Sequence, residues 1–105
     1  MIVIVLDEAT EEARAAAVWY DEQELGVGAA FLNEYRSMLE NIEQNPERYP
    51  FAETADVRPG IRSARMSRFP YALHYEIRAD HALVLAVSHG AKRPNYWLRR
   101  RTHKR

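Results

Sequence analysis

Arginine, histidine and aromatic residues crowd the second half of this chain. Arg62, Arg65 and Arg68 recur at every third position, His74 follows in an alternating stretch, and Ser88, His89, Lys92, Arg93, Tyr96 and Trp97 close the series. Arginine suits phosphate because its planar fork donates two hydrogen bonds at once. Tyrosine and tryptophan beside arginine suit stacked bases. A histidine or arginine next to a phosphodiester can move a proton, or stabilise developing charge, while RNA is cut through its own 2′-hydroxyl. The competing reading has His89 satisfying a hydrogen bond at a strand end while the arginines decorate the surface. For His74 that structural role is the expectation.

Charge is segregated along the chain. Residues 1–56 hold 13 Asp/Glu against 3 Lys/Arg, a net of −10, and residues 57–105 hold 2 against 12, a net of +10. The total is zero, so composition alone hides the split. Such asymmetry points to a surface for a polyanion or an acidic partner, against the plainer reading of two solvated faces.

Other chemistries find no support. The chain has no cysteine, which removes disulfides, thiolate metal sites and thiol nucleophiles. The spacing of His74, His81, His89 and His103 fits no familiar metal pattern, and no metal or cofactor is expected. Gly26-Val27-Gly28 follows a helical stretch rather than a strand, so it is no phosphate loop. The apolar opening, residues 1–6, is too short to span a membrane and runs straight into Asp7-Glu8. The expectation is a cytoplasmic protein with neither a membrane nor a small-molecule substrate as partner.

The elements that must position the basic residues follow from periodicity. Residues 2–6 are a β-branched run that reads as a buried strand. Thr10 is placed to cap a helix reaching about residue 24, with Ala9, Ala13, Ala16, Ala17 and Tyr20 on its apolar face. Gly26 suits the left-handed position that ends it. A second helix over residues 29–44 carries Phe31, Tyr35, Met38 and Ile42 at helical spacing, and Asn45-Pro46 stops it. Residues 61–69 and 71–77 read as strands, the second alternating cleanly, and the apolar run 82–87 as a central strand. Residues 90–96 form a loop. The expected fold is α+β, in the order β-α-α-β-β-β, with a helical hairpin packed on a mainly antiparallel four-stranded sheet. One domain spans residues 1–98, followed by a basic tail over 99–105 for which no order is predicted. If the strands are neighbours, Arg62, Arg65, His89 and Arg93 converge on one cationic sheet surface.

These residues resemble a known family. Trp19-Tyr20, Leu25-Gly26, Phe31-Leu32 and Asn45-Pro46-Glu47-Arg48-Tyr49-Pro50 are similar to the N-terminal half of the RelE/ParE toxins of type II toxin–antitoxin systems. Arg62, Arg68-Phe69-Pro70-Tyr71, Tyr75, the run Val84-Leu85-Ala86-Val87-Ser88-His89, Arg93-Pro94 and Trp97 are similar to the C-terminal half. The similarity covers nearly the whole chain in order. It implies a growth-arresting toxin of the plasmid-stabilisation type and a cognate antitoxin that masks it, with Trp19 and Tyr20 as antitoxin contacts.

The family implies two mechanisms. In the RelE branch the toxin cuts messenger RNA in the ribosomal A site. Arg65, His89, Arg93 and Tyr96 would then be catalytic, with Arg62, Arg68, Lys92 and Trp97 holding RNA. In the ParE branch the toxin inhibits DNA gyrase and is no nuclease. Ala72 stands where the nuclease branch commonly has an arginine, and the step from Arg93 to Tyr96 is shorter than that branch implies. Messenger RNA cleavage is the first expectation, gyrase inhibition the alternative, and an antitoxin-bound relic a third outcome.

Overall fold

The structure, a computed structural model, describes residues 1–52, 60–90 and 96–102. Strand β1 (Ile2–Val5) leads into helix α1 (Asp7–Gln23) and helix α2 (Val27–Gln44). Strands β2 (Ile61–Arg65), β3 (Tyr71–Ile77) and β4 (His81–His89) follow, and a short 3-10 helix, η1 (Leu98–Thr102), closes the described chain. The sheet order is β1-β4-β3-β2, with β1 parallel to β4 and the other pairs antiparallel. The helical hairpin covers one face of a mainly antiparallel sheet, as the periodicity requires.

Helix α1 starts three residues before Thr10, with Leu6 rather than Thr10 at its N-cap. Asp7 and Glu8 fill the first turn, where carboxylates complement the helix dipole. Ala9, Ala13, Ala16 and Ala17 are its buried residues. This low-profile face lets α2 come close. A Cβ on Gly28 would lie 2.3 Å from the Ala17 carbonyl oxygen. Helix α2 starts at Val27 because Asp21 of α1 caps it: its Oδ1 accepts the Gly26 N–H at 3.1 Å and the Gly28 N–H at 2.7 Å.

The core has two parts. Between helices and sheet, Phe31, Tyr35, Met38 and Ile42 meet Ala64, Leu73, Tyr75, Val84 and Val87. Full burial of a side chain such as Phe31 contributes about 1.5–3 kcal/mol. On the outer face, away from the helices, Leu6, Ile61, Leu83, Leu85 and Ala86 pack around Trp97, which is 2% exposed. Strand β4 is buried along nearly its whole length because both layers and both neighbours cover it.

Two expectations need correction. Strand β2 ends at Arg65, not residue 69. The following turn instead gives the Ser67 and Arg68 N–H groups to the Glu34 carboxylate of α2, at 2.6 and 3.3 Å. Beyond Trp97, where basic composition predicted no order, residues 98–102 form η1.

Candidate functional site

Register fixes which side chains share the outer face. Arg65 pairs with Ala72, and Ala72 with Ser88, so these form one row across the sheet. Ser63, His74 and Ala86 form the next row, and Ile61, Glu76 and Leu83 the third. Arg65 is exposed at the end of this face.

His74 sits at its centre. Its Nε2 lies 2.8 Å from Ser88 Oγ, and its ring stacks on Trp97 at 4.4 Å and 18°. Its Nδ1 is buried with no hydrogen-bond partner. Burial pulls its pKa from the ordinary 6.5 down to about 4; Arg65 pushes the same way, while Glu12 opposes both. The ring is neutral at physiological pH, a poor anion ligand and a poor acid.

Glu12 of α1 organises the rim. Strand β1 pairs with β4 only as far as Val84, so the later part of β4 would present bare backbone. Glu12 fills that edge by accepting the Val87 N–H at 3.0 Å. Arg100 fills it too, donating to the Leu85 carbonyl and to Glu12 Oε1, each at 3.0 Å. The Tyr96 hydroxyl also donates to Glu12. Burial raises the Tyr96 pKa, and the hydrogen bond to Glu12 raises it further, so its proton is held tightly.

A second clamp lies at the other end of η1. Glu76 binds Arg101 through Nε at 3.1 Å and Arg78 at 2.9 Å, and Arg78 also donates to the Arg101 carbonyl at 2.7 Å. The C-terminal segment is thereby strapped over the outer face, with Trp97 seated between the two clamps.

The expected convergence of cations does not form among the described residues. Arg65, Tyr96 and Trp97 do gather around His74 and Ser88. Arg62 points to the helical face, where it donates to the Tyr49 carbonyl at 2.8 Å and lies 4.1 Å from the centre of the Phe51 ring. It braces the connector after α2. His89 pairs with Tyr71 in register and packs edge-on against it at 5.0 Å, also on the helical face. Alternation puts Ser88 and His89 on opposite sides of one strand. Arg68 lies exposed in the turn beside α2. Lys92 and Arg93 lie outside the described residues. Of the proposed antitoxin contacts, Trp19 is 55% exposed. Tyr20 is packed against Phe31, Phe69 and Tyr71.

The sequence reading missed Glu12, Glu76, Arg100 and Arg101. Glu12 had one legible signal: it lies three residues after Ala9 and four before Ala16, on the apolar stripe itself. An acid placed there needs a partner. No described helix is long and apolar enough to cross a membrane.

No family model matches this chain, and no curated protein matches it. Among solved structures, a chain described as "Chromosomal ParDE TA system from P. aeruginosa" is similar, with a TM-score of 0.73 and 12% identity. The match covers 85% of this chain and 95% of that one. At this identity the likeness establishes the fold, and it is the fold that the RelE/ParE resemblance implies.

Proposed function

We propose that this chain is the growth-arresting toxin of a type II toxin–antitoxin pair, and that it acts by binding its target rather than by cutting RNA. The fold shared with a ParDE chain carries the first part. It agrees with the family resemblance across both halves of the sequence. A cytoplasmic site of action follows from that reading.

The outer face supports the second part. RNA cleavage needs a group free to take the 2′-hydroxyl proton and another to return one. His74 is held neutral beneath Trp97, the Tyr96 proton is bound by Glu12, and His89 faces the helices. What this face offers is a packed surface rimmed by Arg65. For a toxin that binds instead of cutting, the resemblance implies DNA gyrase as target. The antitoxin would cover Trp19, which with Val18 and Leu25 is an exposed large apolar side chain near the hairpin tip.

Expression of the chain alone tests the toxin reading. Growth should stop, and co-expression of the short reading frame beside its gene should restore it. Continued growth with soluble folded protein would reject the proposal.

A further inference from the structure

The two edges of the sheet are treated differently. At β2 the connector covers the backbone: the Ala52 N–H donates to the Ile61 carbonyl at 2.7 Å, and the Ser63 N–H to the Pro50 carbonyl at 2.9 Å. At β1 the Leu6 N–H donates inward to Val84 at 3.0 Å. Strand alternation then directs the backbone groups of Ile2 and Ile4 toward β4 as well, and those of Val3 and Val5 outward. An outward row of this kind is a template for another strand.

The surroundings specify what would fit. On the helical side a groove of about 220 Å³ runs along this edge, lined by Val3, Val5, Leu39, Glu40 and Glu43. Glu40 and Glu43 are exposed on α2, whereas Glu12 and Glu76 are held by arginines. On the outer side Ile2 is 66% exposed, and Ile4 borders the core around Trp97. The two sides of the edge are therefore acidic and apolar.

We propose that the outer edge of β1 is a docking site for an extended cationic peptide segment of a partner protein, which adds as a further strand. Its alternate Lys or Arg side chains face Glu40 and Glu43, and the residues between them lie beside Ile2 and Ile4. Strand addition supplies affinity through the main chain and specificity through alternating side chains. Charge argues against a second copy of this chain: a symmetric β1–β1 pair with both hairpins on one face would bring two sets of Glu40 and Glu43 together. With only four residues in β1, the contact is short and its affinity modest. This inference does not depend on the toxin reading.

The test is calorimetric titration of the full chain with a short acetylated peptide of alternating lysine and valine, with amide hydrogen exchange followed at Val3 and Val5. Saturable one-to-one binding with new protection at both amides is expected. N-methylation of the peptide amides along the β1-facing edge should abolish binding, and this control leaves the protein untouched. The Glu40→Gln, Glu43→Gln double variant should weaken binding by about tenfold. Equal binding by the N-methylated peptide, or by a glutamate–valine peptide, would overturn the proposal. So would absence of binding, or a concentration-dependent dimer that excludes the peptide.

Discussion

Glu12 in the first helix and Arg100 in the last described element form an ion pair of 3.0 Å across the open part of β4. Both side chains are largely shielded, at 21% and 15% exposure, and both also bind strand backbone. Removing one charge leaves the other shielded and unpaired. Glu12→Gln should therefore cost about 2–3 kcal/mol, below the full penalty for a wholly buried pair because some solvent remains. Urea unfolding measures the loss. In a Trp19→Phe background, tryptophan emission should shift to the red as Trp97 loses its cover.

Helix packing gives a sharper contrast. Gly28→Ala puts a methyl into the Ala17 carbonyl and should destabilise by about 2–3 kcal/mol through forced separation of the helices. Gly26→Ala meets open space but keeps a φ of 96°, so it should cost only about 1–2 kcal/mol. Chemical denaturation of the two variants side by side orders them. Equal costs would contradict the close approach of α1 and α2.

His74 makes stability depend on pH. Its folded pKa is down at about 4 because it is buried, against an ordinary 6.5. The unfolded chain binds this proton at higher pH than the folded chain does. The contribution is therefore fully present above pH ~6.5 and declines as pH falls toward ~4, with a total loss on the order of 3 kcal/mol. His74→Phe keeps an aromatic ring against Trp97 and removes the titration. Urea midpoints should fall less with acidification in the variant than in the parent.

Toxicity should divide along the two faces of the sheet. His89→Phe keeps the contact with Tyr71 on the helical face and should leave growth arrest intact. Trp19→Ala should change stability by less than ~0.5 kcal/mol, because the ring is mostly exposed. It should also weaken antitoxin rescue. Growth curves with and without antitoxin read both effects.

The fold was legible because its signals are local and periodic. Phe31, Tyr35, Met38 and Ile42 mark one helical face, and Tyr71 to Ile77 alternate as a half-buried strand must. The site was less legible because its decisive contacts join distant positions. Nothing near Glu12 announces Tyr96 or Arg100, and nothing in a run of arginines says which will be bound. The grouping of Arg62 and His89 with Arg65 failed for a simpler reason: strand parity, which places neighbours in sequence on opposite faces.

The central claim is that the chain arrests growth by engaging a target rather than by cutting RNA. It is tested most directly by inducing the chain alone and measuring two products in the same cells: transcript ends generated at ribosomes, and DNA covalently linked to gyrase. The account predicts gyrase-linked DNA with transcripts intact. Codon-specific transcript cleavage without gyrase-linked DNA would contradict it and return the catalytic role to the basic outer face.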